Sequence, residues 1–358
     1  ALSINKLIGS GTPVSERKRL AIEMFERGNS KGVVEILNEK DIAADAAQAR
    51  KEIEQGKLLV DSGRSLIEAG LQKTRSLAEE YVLRAKALMT DYAEPRRFEL
   101  ACYAYEQGIE LIRANLLEEE LAKSLFEYGH FLQTNKRYDL AEVRYRENLD
   151  IYQRLAAISP QVYEPDLAMV QNNLGILYRD TQRYEDSEKM YLSAMEIYRR
   201  LAAANPQVYE PDLAMAQSNL GTLYKDTRRY EDSEKLCLSA MEIRRRLAAA
   251  NPQVYEPYLV RACNNLSFLF LAQGNFEEAE RYAREGSKYD FTHHTIYTNL
   301  AASLLLQGRY AEAEEIYLRY KEELKEDFLS DFEDFYRRGI IPPEREDDVE
   351  RIKKLLSK

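Results

Sequence analysis

Four asparagines, Asn173, Asn219, Asn265 and Asn299, follow one another at intervals of 46, 46 and 34 residues. A carboxamide carries donors and an acceptor, so a row of them can grip the main chain of an extended peptide whatever its side chains are. Helix propensity does not account for the row, because asparagine is a poor helix former. The alternative is that each amide bonds within its own stretch of chain and merely fixes packing. Covalent chemistry has less to work with. The histidines are His130, His293 and His294; the adjacent pair would point in different directions on a helix, and no HExxH is present. Cys102, Cys237 and Cys263 lack metal-type spacing and cannot all pair with one another. The GSGT at 9–12 lacks the Lys-Ser/Thr end of a phosphate loop and reads as part of a flexible lead. With no nucleophile beside a base, no metal site and no phosphate cradle, the sequence predicts neither catalysis nor a cofactor.

The 358 residues include 51 Lys plus Arg against 61 Asp plus Glu, a net charge of −10. Neutralising phosphates needs clustered excess cation, so nucleic acid is not an expected partner. No apolar run reaches transmembrane length. The expected compartment is the cytoplasm, although a first residue of Ala rather than Met leaves a removed leader open. Tyrosine is abundant at 25 and tryptophan absent, with only 10 Pro and 15 Gly among Ala, Leu, Glu, Arg and Lys. Such a composition is all-helical.

Internal repetition sets the architecture. Residues 160–205 and 206–251 differ at only eight of 46 aligned positions, among them Ile176/Thr222 and Tyr191/Cys237. Gly129, Gly175, Gly221 and Ser267 stand 46 apart, and Ala301 follows after 34. An aromatic comes nine residues after each, at Tyr138, Tyr184, Tyr230, Phe276 and Tyr310. A small residue comes three further on, at Ala141, Ser187, Ser233, Ala279 and Ala313. Each unit reads as two helices turning near Asp180–Arg183 or its equivalent, with small residues where the helices approach. Asn205-Pro206 and Asn251-Pro252 break the second helix and start the next unit. One hairpin cannot bury its apolar face alone; stacked neighbours do that.

The stretch NNLGILYRDTQRYEDSEKMYLSAMEIY at 172–198, with the 34-residue step from Ser267 to Ala301, resembles a tetratricopeptide repeat. The 46-residue units are similar to the lengthened repeats of kinesin light chains and related bacterial proteins. Five repeats cover about 119–325. A weaker sixth at 79–114 carries Phe98, Ala101 and Tyr105, its turn lengthened by TDYAEP. The resemblance implies an all-α, right-handed α-solenoid of stacked hairpins with a long N-terminal helix and a C-terminal capping helix. The expected division is 1–78, 79–325 and 326–358.

In that family the first helix of each repeat lines the concave face. Steps of 4, 3 and 4 around the small position mark its stripe. The stripe reads Lys123, Glu127, His130, Thr134; then Met169, Asn173, Ile176, Asp180; then Met215, Asn219, Thr222, Asp226. It continues as Arg261, Asn265, Phe268, Ala272 and ends as Thr295, Asn299, Ala302, Leu306. The candidate peptide-binding residues are therefore the four asparagines, Asp180, Asp226, Met169, Met215, Arg261 and Phe268. The middle is acidic, with Arg179 and Lys225 beside it, and the C-terminal end apolar, which suits a ligand joining a basic stretch to an apolar anchor. Clamping an acidic terminus needs cations beside the asparagines, where Met169 and Met215 stand instead.

The flanks have their own patterns. Residues 15–38 read as a hairpin turning at Gly28-Asn29, and 41–88, free of Pro, as one long helix. Gly56, Gly63 and Gly70, seven apart, mark a seam for another helix, either from this chain or from a second copy in a homo-oligomer. Phe328, Phe332 and Phe335 form an apolar face that ends at Arg337-Arg338-Gly339, either a cap or an autoinhibitory tail in the groove. The expected function is a non-catalytic scaffold binding a protein or peptide in the groove. The alternative is a regulatory or sensor segment of a larger enzyme or signalling protein.

Overall fold

The computed structural model describes residues 15–58, 63–289 and 295–357, and among them every regular element is a helix. The lead at 1–14 and the pair His293–His294 lie outside the described residues. Two compact units divide the chain, 1–163 and 164–358.

In the first unit α1 (Glu16–Glu26) and α2 (Ser30–Ile36) form the expected hairpin, with Gly28 at φ +72° in its turn. Side-chain caps start both helices: the Lys18 N–H donates to Ser15 Oγ (3.1 Å) and the Gly32 N–H to Asn29 Oδ1 (3.0 Å). The run expected as one helix over 41–88 is two, α3 (Glu39–Leu58) and the 28-residue α4 (Gly63–Thr90), packed on each other. At Gly70 the seam meets α3: a Cβ there would lie 2.6 Å from Ile53 Cγ1 and 3.3 Å from the Ala49 carbonyl. Folding back buries both apolar faces, and tertiary burial outweighs a few helical hydrogen bonds. Buried Glu80 of α4 accepts from Ser15 Oγ and Arg17 Nε, both at 2.8 Å, while Arg17 Nη2 donates to Asp45 of α3 at 2.7 Å. The next elements are α5 (Arg97–Arg113), packed on α4 through Gly108, and the hairpin of α6 (Glu118–Thr134) and α7 (Tyr138–Ile158).

The second unit carries the candidate site. It starts within the first turns of α8 (Pro160–Asp180), which pairs with α9 (Tyr184–Ala204). Then come α10 (Pro206–Asp226) with α11 (Tyr230–Ala250), α12 (Pro252–Ala272) with α13 (Phe276–Gly286), and α14 (Ile296–Leu306) with α15 (Tyr310–Arg319). The small-residue frame closes each hairpin. A Cβ on Gly175 would lie 2.6 Å from the Tyr191 ring, and one on Gly221 2.7 Å from Cys237 Sγ. Ser187 Oγ donates to the Gly175 carbonyl and Ser233 Oγ to the Gly221 carbonyl, both at 2.7 Å. In the next hairpin the partners exchange roles: Ser267 Oγ donates to the Ala279 carbonyl at 2.8 Å. The inner turns pass through the left-handed region at Gln182 (φ +61°), Arg228 (+60°), Gly274 (+76°) and Gly308 (+83°). Asn205 and Asn251, at φ −143° and −145°, leave the helical region as residues before proline must.

Two further helices, α16 (Lys321–Arg338) and α17 (Glu346–Ser357), complete this unit. Gly339 at φ +69° caps α16, and the Ile340 N–H returns to the Phe335 carbonyl at 2.9 Å. The three phenylalanines of α16 are buried. Phe328 and Phe332 pack on Tyr317 of α15, with ring centroids 4.7 and 5.6 Å away, whereas Phe335 reaches Phe268 of α12 at 6.1 Å.

Candidate binding groove

The ten candidate residues all lie on α8, α10, α12 and α14. Met169, Asn173, Met215, Asn219, Asp226, Asn265 and Phe268 are half-buried, Asp180 and Arg261 exposed, and Asn299 buried. Neighbouring stripes adjoin. Asn219 Nδ2 donates to Asn172 Oδ1 at 3.0 Å, from α10 to α8. Asn299 Nδ2 donates to the backbone carbonyl (3.1 Å) and side-chain oxygen (2.8 Å) of Asn264, from α14 to α12. Asn173 turns onto its own helix and donates to the Met169 carbonyl at 2.9 Å. Asn265 has no hydrogen-bond partner among the described residues. The reason lies one residue before the preceding asparagine. That place holds Asn172 and Asn264 where a cross-repeat bond forms, but Ser218 opposite Asn265, and Ser218 Oγ bonds its own helix at the Ala214 carbonyl (2.8 Å). The serine is too short to reach across.

Charge in the middle of the groove is locally compensated. Arg179 stands 3.1 Å from Asp180, and Lys225 Nζ 3.9 Å from Asp226. The apolar end is covered by α16. Phe268 lies between Lys225 Nζ, 4.4 Å from its centroid, the Arg338 guanidinium at 5.8 Å and the Phe335 ring. Ala302 and Leu306 are 2% and 4% exposed. The anchor position read from the sequence thus already holds a ring from the same chain.

A cavity of about 280 Å³ remains there, walled by Lys225 of α10, Asn264, Asn265 and Phe268 of α12, Asn299 of α14, and Asp327 and Asp331 of α16. Burial depresses the Lys225 ammonium below the usual lysine range. It pushes the Asp331 carboxyl up to about 6; the Thr298 hydroxyl opposes this and Asp327 and Asp334 add to it. Lys225 entered the sequence reading only as a neighbour of Asp226, and Asp327 and Asp331 were hidden in a segment read as a cap.

A second buried cation went unread. Arg244 of α11 stands where the preceding repeat has Tyr198, with 6% exposure. Its Nη2 reaches only the Ala214 carbonyl at 3.5 Å and its Nη1 has no partner. Burial pulls its pKa down to about 10. The signal was the departure from the repeat. The thiols are buried or half-buried, and burial raises all three, Cys263 to about 12. His130 is exposed, and no group of three or more metal-ligating side chains gathers among the described residues.

The tetratricopeptide repeat family matches residues 167–205 and 213–251 in one form and 269–327 in another. These stretches are tetratricopeptide repeats. The repeats have solved counterparts. The crystal structure of BtubC (BKLC) from P. vanneervenii is 20% identical with a TM-score of 0.51, over 71% of this chain and 95% of that one. The apo form of RapI is 15% identical with a TM-score of 0.56, over 96% of each chain. A Podosopora anserina putative kinesin light chain with nearly identical TPR-like repeats is 15% identical, with a TM-score of 0.41 over 56% of this chain and 96% of that one. At these identities the likeness to the first two is one of fold alone. No curated protein sequence matches the chain. The tetratricopeptide repeats give it the role of a protein-interaction scaffold. No helix among the described residues is long and apolar enough to cross a membrane.

Proposed function

We propose that the repeats form a non-catalytic module that holds an extended peptide or partner segment along the first-helix stripes, from Met169 and Asn173 of α8 to Arg261 and Asn265 of α12. One observation carries this reading: the Asn265 amide is unpartnered on a half-exposed surface made continuous by the Asn219–Asn172 bond. A free carboxamide in such a place is available to a ligand's main chain. Asp180 and Asp226 favour cationic side chains, but with Arg179 and Lys225 beside them the preference is modest and fades with salt.

The test starts from a partner captured from the native host. Asn265→Ala should weaken it about 2- to 12-fold, the worth of one hydrogen bond, at an unchanged melting temperature. Affinity unmoved by Asn265→Ala and by Asp180→Asn with Asp226→Asn would reject the groove. The second reading, a regulatory segment of a larger enzyme or signalling protein, draws on α16 lying over the apolar end of its own groove. Under it, Phe335→Ala should tighten partner binding.

A further inference from the structure

Lys225 and the pair Asp327 and Asp331 wall the same cavity, yet no ion pair joins them. The carboxylate nearest to Lys225 is its chain neighbour Asp226 at 3.9 Å, and neither cavity aspartate has an ion-pair partner among the described residues. Asp331 is partly buried with no counter-charge, which is costly. A guest bringing both counter-charges removes that cost. The unpartnered Asn265 amide opens into the same space. The cleft, about 280 Å³ and open to solvent, has room for one small molecule. Phe268 offers no further apolar room, since Phe335 and Lys225 already lie against it.

The geometry points to a binding site for a free α-amino acid with a small or polar side chain, its ammonium held by Asp331 and Asp327 and its carboxylate by Lys225 and Asn265. This goes beyond the peptide reading, which runs along α8, α10 and α12 and shares Asn265 with this site but does not need α16. The amino acid bridges α16 to the array, so its binding fastens that helix in place.

The ammonium needs Asp331 ionised. Burial holds that carboxyl up at about 6; Asp327 and Asp334 on its own helix add to the shift, the Thr298 hydroxyl of α14 opposes it, and the Tyr317 phenol faces it from α15. Binding therefore weakens as pH falls through about 6 and releases protons there.

Calorimetry on the full chain at neutral pH tests the site with free serine and glutamine, and with N-acetylserine and serinamide as probes lacking one charge. The expected result is binding by a free amino acid, at least about 10-fold weaker binding by both derivatives, and a 10- to 150-fold loss, on the order of one charged hydrogen bond, in Asp331→Asn and in Lys225→Met. Asp331→Asn should also abolish the weakening below pH 6. Both variants remove a half-buried charge without removing much volume, so both should fold, which melting verifies. The proposal is overturned if neither amino acid binds at millimolar concentration, if either derivative binds as well as its parent, or if both variants bind normally. A peptide partner that still binds through α8 and α10 after such a failure leaves the groove reading standing.

Discussion

Residues 160–205 and 206–251 are near copies, and their eight differences show which parts of a repeat are free to change. Tyr191 fills the space against Gly175, where Cys237 meets Gly221 in the second copy. Tyr198 becomes Arg244, a buried guanidinium with an unpartnered nitrogen. Asn172 becomes Ser218, and the bond that Asn219 donates to Asn172 is denied to Asn265. The backbone hardly responds: both copies make two 21-residue helices, the same Ser-to-Gly carbonyl bond and the same left-handed turn. Backbone geometry is fixed by the small residues, while the large and polar positions carry individuality.

The largest break in this comparison should come from Tyr191→Ala. Emptying a fully buried aromatic site costs about 3–5 kcal/mol, whereas Cys237→Ala should cost about 1 kcal/mol, one small group's worth. Denaturant melts of the two variants give the difference. Next, Arg244→Met replaces an incompletely bonded buried cation with an apolar chain of similar length and should raise stability by about 1–4 kcal/mol. A denaturation midpoint that falls instead would mean that the guanidinium has a counter-charge in the folded chain.

Ser218→Asn restores the first copy's residue and should give Asn265 its missing partner. It should add about 0.5–1.5 kcal/mol and at the same time withdraw Asn265 from any ligand. The amide proton shifts of Asn265 would report the new bond. The smallest effect concerns the turns. Gln182→Gly and Arg228→Gly should each stabilise by up to about 1 kcal/mol, because a side chain is strained at positive φ where later repeats already use Gly274 and Gly308. Equal or lower melting temperatures would show that these side chains earn their place through contacts.

The hairpins were legible because two close approaches per repeat demand small residues at fixed spacing, as at Gly175 with Ser187 and Ser267 with Ala279. The break between α3 and α4 was not, since 41–88 contains no proline and its apolar stripe suits one helix or two that fold together. The face of α16 announced burial through Phe328, Phe332 and Phe335, but a stripe says nothing about what it meets. That Phe335 reaches Phe268 depends on the path of the chain after Tyr320. The asparagines were found by position and their partners were not. Reading the residue before each one, Asn172, Ser218, Asn264 and Thr298, would have exposed which cross-repeat bonds could form.

If the proposed peptide site along α8, α10 and α12 is occupied, the Phe335–Phe268 contact gives it a terminus. An extended chain threaded along those helices cannot run on past α12 while α16 is seated; it must end there, or turn out to solvent. A slot closed at one end measures what enters it. Sliding by one residue, which a uniform row of amides would tolerate, would be arrested by the wall, so on that proposal the register of a bound strand would be counted from α16 rather than chosen by its side chains.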